Sequence, residues 1–150
     1  MPDMRINAFL RESPMFAVTR AARRFDALST RALAADNLSF LEGLILAAIF
    51  FEAPRRVQPS ELAGTFSTTR ANISHTVSAL EAKGLLHREI DPGDARAYLL
   101  ALKPQGRKCA LRVIRTFDSL QDSFEREVGK RALSDATRIV QSLETLADLL

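Results

Sequence analysis

Between Gln58 and Gly106 the spacing of apolar positions predicts two short helices followed by a hairpin. Leu62, Ala63 and Phe66 form a one-sided stripe. Pro59 stands where the first position of a helix tolerates a missing N–H, and Glu61 suits its positive N-terminal end. Ser67, Thr68 and Thr69 break this helix and offer hydroxyls to cap the next. Ile73, Val77 and Leu80 then recur at a helical spacing from Arg70 onward, and Gly84 ends the run. Leu85 to Ile90 reads as a strand, Asp91-Pro92-Gly93-Asp94 as a turn and Ala97 to Leu102 as the returning strand. Helix, turn, helix and hairpin in that order predict a winged helix-turn-helix, a device that usually places its second helix in a DNA major groove.

The flanks are helical by the same reasoning. Pro14 to Leu33 places Met15, Val18, Ala22, Phe25 and Leu28 on one face, with Arg20, Arg23 and Arg24 largely off it. Asp36, Asn37 and Ser39 are start signals for a helix that runs to about Phe51. It is apolar almost all round, as a helix at the centre of a domain is, and Glu52-Ala53-Pro54 stops it. After the hairpin, Leu111, Ile114, Phe117, Leu120, Phe124 and Val128 predict a helix from about Pro104 to Val128. Ala136, Ile139, Val140, Leu143, Leu146 and Leu150 predict another from about Ser134 to Leu150. These terminal helices carry more apolar surface than a small winged core can cover. They pack within the chain or pair with a second chain, and a long stripe beside a small core favours pairing. The expected fold is mainly α with a small β-wing, in a single domain over 1–150. The winged helix-turn-helix takes about 36–103, and dimerisation helices take about 10–33 and 104–150.

Several segments repeat a known pattern. They are Pro59-Ser60-Glu61-Leu62-Ala63, the run Leu80-Glu81-Ala82-Lys83-Gly84-Leu85-Leu86, the wing signature Asp94-x-Arg96, and Leu102-x-Pro104-x-Gly106. Leu38-Ser39 and Leu46 match further upstream. In order and spacing they resemble the multiple-antibiotic-resistance regulators, the MarR family. Gln58 and Lys103 depart from it, since the family often has Thr at each, and this bears on local capping alone. The resemblance implies a cytoplasmic transcriptional regulator that binds a palindromic operator in double-stranded DNA as a homodimer. It also implies terminal helices at the dimer interface and a response to a small aromatic effector, with no cofactor.

Charge sharpens this picture slightly. The formal net charge is +3 over 150 residues. Pro54 to Lys108 holds nine Lys/Arg against five Asp/Glu, and the remainder twelve against thirteen. The positive excess thus falls in the winged segment, as phosphate attraction requires. Cys109 is the sole cysteine, so no intramolecular disulfide can form, which fits a reducing cytoplasm. No signal peptide is evident, and the apolar run from Leu38 to Phe51 is too short to span a bilayer and contains Glu42. No Gly-rich phosphate loop, triad or convincing carboxylate pair is present, which argues against an enzyme.

With Ile73, Val77 and Leu80 facing inward, Arg70, Asn72, Ser74, His75 and Thr76 are candidates for contact with DNA. Arg suits guanine and Asn suits adenine. Thr69 caps the helix, bonds a phosphate, or does both. Arg88 and Lys83 are phosphate contacts or simply solvated. Arg96 lies beside the turn, where a long cation can enter a minor groove, and Asp94 could accept from its guanidinium. The resemblance puts this Asp-x-Arg pair in the wing with the Arg reaching DNA. Phe40, Phe50, Phe51 and Phe117 are core residues or the lining of an effector pocket. His75 and His87 lack metal-ligand spacing, so no metal is expected. Cys109 reads as a quiet, partly buried thiol, whose pKa Lys108 could lower modestly. The rival reading is a winged-helix module for protein–protein contact without DNA binding.

Overall fold

The structure, a computed structural model, describes residues 4–150. Its order is α1 (Arg5–Glu12), α2 (Pro14–Ala32), a 3-10 turn (Ala34–Asp36), α3 (Phe40–Glu52), α4 (Pro59–Thr65), α5 (Arg70–Ala82), β1 (Leu86–Asp91), β2 (Asp94–Leu102), α6 (Pro104–Val128) and α7 (Lys130–Leu149). By packing, one unit comprises Thr30–Phe117, and the other Asp118–Leu150 with the N-terminal stretch ending at Ser29. The boundaries fall inside α2 and α6.

The unit Thr30–Phe117 is a winged helix-turn-helix around a dry core. Ser39 caps α3 with its hydroxyl, which accepts from the Glu42 N–H at 3.2 Å, and the Glu42 carboxylate accepts from the Ser39 N–H at 2.8 Å. From α3, Ile45, Leu46 and Ile49 enter the core. They meet Leu62 of α4, Ile73, Val77 and Leu80 of α5, Leu86 and Leu100 of the hairpin, and Ala110 and Val113 of α6. Each of the Val, Leu and Ile side chains, removed from water, contributes about 1.5–3 kcal/mol. The inward stripe read from the spacing of α5 is therefore the stripe that is buried.

The turns have a shared closure. After α4, Ser67 takes a left-handed backbone (φ 49°) and the Thr68 N–H reaches back to the Ala63 carbonyl at 3.0 Å. After α5, Gly84 does the same (φ 73°) and the Leu85 N–H reaches the Leu80 carbonyl at 3.1 Å. A left-handed residue with this long back-bond satisfies carbonyls that a helix end leaves open.

Three boundaries differ from the pattern-based expectation. First, α1 precedes Pro14. It has no capping side chain and no buried residue, so it leaves no strong signal, and Ser13 is extended (ψ 119°) as a residue before proline prefers. Second, β2 begins at Asp94, because Asp91 pairs with Asp94 across a two-residue turn. Third, α7 starts at Lys130, with only Gly129 between it and the end of α6. The second unit is built from the amphipathic faces of α1, α2, α6 and α7. Phe9 stacks near Phe16, and Phe25 meets Phe124 edge-on with centroids 5.5 Å apart. Within the described residues α7 buries none of its side chains. Among the described residues no helix is long and apolar enough to cross a membrane.

Gly106 opens α6 against the turn that follows α5. A Cβ there would lie 1.7 Å from the Leu85 carbonyl oxygen, which is itself held by the Lys103 N–H at 2.9 Å. Gly106→Ala should therefore cost about 2 kcal/mol or more, by the usual penalty for overpacking. Its thermal midpoint should fall by roughly 5 °C or more. Gly64→Ala is the control, since a Cβ at that helical position meets nothing within 4 Å; it should be neutral or slightly stabilising.

Candidate nucleic-acid interface

A groove of about 450 Å³ runs between the outer face of α5 and the wing. Arg70, Ser74, Val77 and Ser78 line it from the helix, Arg88, Arg96, Ala97 and Tyr98 from the hairpin, and Gln58, Pro59 and Ser60 from the start of α4. Its floor is set by the core, because the faces of α5 and of the hairpin root that turn away from it are the ones buried.

The helix side follows from capping and period. The Thr69 hydroxyl accepts from the Asn72 N–H at 3.0 Å, so Thr69 caps α5. The Asn72 side-chain amide turns back and donates to the Thr68 hydroxyl at 2.9 Å. Arg70, Ser74 and His75 are exposed. Among the described residues no group pairs with the His75 ring or with the guanidinium of Arg70 or Arg96. Thr76 corrects the expectation. It is 7% exposed, and its hydroxyl donates to the Asn72 carbonyl at 2.7 Å. It stands three residues after Ile73 and one before Val77, on the flank of the inward stripe, so it cannot face a groove.

The wing presents Arg96 by an irregularity. Ile90 pairs with Tyr98 but Asp91 pairs with Asp94, so Ala95, Arg96 and Ala97 bulge from the ladder. A bulge re-aims its side chains. Asp94 does not pair with the Arg96 guanidinium, as the sequence reading expected. Its carboxylate accepts from the Arg96 main-chain N–H at 2.9 Å, and Asp91 accepts from the Gly93 N–H at 2.9 Å. These acids shape the turn through the backbone, and the guanidinium is left uncommitted.

Two cations read as phosphate contacts are engaged within the protein. Lys83 Nζ donates to the Asn37 carbonyl at 2.6 Å and to both oxygens of Glu42 at 3.0 and 2.9 Å. Arg88 donates to the Ser78 hydroxyl at 2.8 Å and lies over the Tyr98 ring. Nothing in the residues' order reveals these links, because each joins separate elements. Tyr98, which sequence reasoning did not select, belongs to the groove for the same reason. A period-of-two reading of β2 from Arg96 could have flagged Tyr98.

The four phenylalanines fall into two pairs. Phe40 meets Phe117 edge-on at 5.8 Å, and Phe50 meets Phe51 at 6.1 Å. Phe117 and Phe50 also pack on the core, Arg107 sits over Phe50, and Phe51 is 68% exposed. None of the four lines the groove. No group of three or more His, Cys, Asp or Glu among the described residues is placed to hold a metal.

Against known proteins, a family model described as MarR family matches residues 36–97, the segment from the 3-10 turn into the wing. No curated protein matches the sequence. Among solved structures, MepR of S. aureus in complex with DNA superposes with a TM-score of 0.78 at 15% identity, over 92% of this chain and 98% of that one. The repressor CouR bound to a 23-mer DNA duplex gives 0.76 at 25% identity, over 97% and 99%. The regulator MOSR of M. tuberculosis in complex with DNA gives 0.71 at 23% identity, over 89% and 98%.

Cys109 is buried, and burial, helped by Asp36, pushes its thiol pKa up against the opposing pull of Arg112 and Lys83. Lys108 is not among the causes. The thiolate, the reactive form, is therefore scarcer at pH 8 than in a free cysteine and grows only at higher pH. A thiol-labelling time course at pH 8 should run about tenfold or more slower on native protein than on protein unfolded in denaturant. Equal rates would mean that the thiol is open to solvent.

Proposed function

We propose that the chain is a DNA-binding transcriptional regulator of the MarR family, whose model it matches over residues 36–97, and that it acts as a cytoplasmic homodimer on a palindromic operator. Members of this family are not enzymes. The observation that carries the reading is the pair of uncommitted guanidinium groups, Arg70 and Arg96, on the two walls of a groove whose back is dry core. One sits at the N-terminal end of the recognition helix, the end that reaches base edges. The other sits in the wing bulge, where a long cation can enter the adjoining minor groove. Thr69, Asn72, Ser74 and His75 give the helix a short polar surface that suits close approach. Asp94 holds the wing turn. The three relatives solved with DNA support the same mode of use.

Residues 36–103 supply recognition in this reading, and 10–33 with 104–150 supply dimerisation. Met15, Ile139, Leu146 and Leu149 are each more than half exposed in a single chain. Val18, Val140, Leu143, Leu146 and Leu150 line an apolar cleft between α2 and α7, which a second copy would fill. Two-fold pairing presents two reading heads at one spacing, which requires a palindrome. The exposed Phe51 beside Phe50, and the Phe40–Phe117 pair, support contact with a small aromatic effector that alters this spacing.

Mass measurement at micromolar concentration should give about twice 16.6 kDa; a monomer would remove the basis for palindromic recognition. For recognition itself, sites are first selected from random duplexes, and affinity is then followed across a salt series. Binding should weaken steeply with salt, and Arg96→Ala should lower the logarithmic salt slope by about one per subunit. An unchanged slope would mean that the wing is not a phosphate contact. Salt-insensitive binding, or no selected site, would favour a protein partner instead.

A further inference from the structure

Arg88 is the most heavily engaged side chain in the groove. It leaves β1 and reaches two elements. Its Nη2 donates to the Ser78 hydroxyl at 2.8 Å, and its Nε lies 3.7 Å from the Glu81 carboxylate, both on α5. Its guanidinium carbon sits 5.8 Å from the centre of the Tyr98 ring on β2. Ser78 in turn donates to the Ser74 carbonyl at 3.0 Å, so its hydroxyl has a fixed direction and offers a lone pair to Arg88. Hydroxyl, carboxylate and aromatic face are three kinds of partner that a planar guanidinium can satisfy together and an ammonium cannot.

The hairpin needs such a tie. Its root is anchored by Leu86 and Leu100, both fully buried, but its outer half is not. Ile90 is 70% exposed and Tyr98 53% exposed. Two exposed strands joined by a tight turn have little of their own to hold a fixed direction. Arg88 stands where the buried root gives way to the exposed tip.

We propose that Arg88 is a positioning residue for DNA recognition: it fastens the wing to the recognition helix through Ser78, Glu81 and Tyr98, so that Arg96 is carried at a fixed place relative to α5. It does not itself contact phosphate. This rests on the DNA-binding reading above.

The chain has one tyrosine and no tryptophan, so its intrinsic fluorescence reports on Tyr98 alone. The experiment compares wild type with Arg88→Ala, Arg88→Lys and Ser78→Ala, each also combined with Arg96→Ala. Thermal unfolding serves as a check on folding. In free protein, Arg88→Ala and Ser78→Ala should both lower Tyr98 anisotropy and raise its quenching by acrylamide. On the selected duplex, Arg88→Ala should weaken binding about tenfold with the salt slope of wild type, since no phosphate contact is lost. Arg88→Lys should not rescue it. In the Arg96→Ala background, Arg88→Ala should have little further effect, because a misplaced wing then has no contact to lose. A general loss of stability would instead weaken both backgrounds alike and overturn the proposal. So would a salt slope reduced by about one per subunit with rescue by Lys, the signature of a phosphate contact. Ser78→Ala keeps the test open if Arg88 variants do not fold: unchanged Tyr98 anisotropy in that variant also overturns it. Failure of wild type to bind any selected duplex counts against the DNA-binding reading, while the fluorescence results judge the tie by itself.

Discussion

A carboxylate taken out of water must be met by donors or by a cation, and Glu42, 9% exposed at its side chain, is met by both. Its oxygens accept from the Ser39 N–H and from Lys83 Nζ, and Lys83 also holds the Asn37 carbonyl. One buried group thereby joins the start of α3 to the end of the recognition helix. Removing Lys83 would strand the buried carboxylate, a loss that typically costs about 3–5 kcal/mol, whereas Lys83 itself is 31% exposed and would stay solvated without Glu42. The consequence for function is directional. Lys83 fixes the C-terminal end of α5, the Thr69 hydroxyl caps the N-terminal end, and Ile73, Val77 and Leu80 seal the side between them. With one side sealed and both ends tied, the opposite side of the helix has only one way to face.

The same accounting decides which charges can serve a partner. Net charge over the winged segment is a poor guide, since its cations are unequally occupied. Arg55 bridges Glu52 and Glu61, Arg56 pairs with Glu89, Lys83 with Glu42, and Arg88 with Ser78 and Glu81. Glu61 and Glu89 are held below the usual carboxylate range by these and neighbouring bonds, Glu61 mainly by the Gln58 N–H and Glu89 mainly by His87. Of the other five, Arg70 and Arg96 line the groove, while Lys103, Arg107 and Lys108 do not. Fixed cations hold the frame rigid, and free cations face outward. Two of the uncommitted cations thereby stand where they can act on a phosphate backbone.

Legibility in the sequence tracked the distance between interacting residues. The inward stripe of α5, the Thr69 cap, the Ser39 start signal and the Gly84 stop each depend on neighbours within about one helical turn, and local pattern sufficed to find them. The winged helix-turn-helix and the resemblance to the MarR family followed from those signals in order. Links across elements were illegible: Lys83 to Glu42 spans 41 residues and Arg88 to Ser78 spans ten. Both cations therefore looked free. Thr76 was misplaced for a subtler reason. A hydroxyl can be buried at the edge of an apolar stripe when it bonds the carbonyl four residues back, and a polar letter hides this. In the wing, Asp94 and Arg96 stand at the right spacing for an ion pair, but the carboxylate finds a main-chain N–H first.

The two units differ in what they can sustain alone. Thr30–Phe117 encloses the buried apolar side chains among the described residues, so it carries its own core. In the other unit, α1 and α7 bury nothing and α2 buries only Ser29 among the described residues. Amphipathic helices without a covered face gain little from propensity, and most of a helix's stability in water comes from packing. The exposed stripe from Met15 to Leu150 therefore needs another apolar surface to be stable in the conformation it has. The homodimer proposed here provides one made of the same residues. It also couples assembly to recognition, since a chain that dissociates loses the packing of its outer helices and the second half-site together.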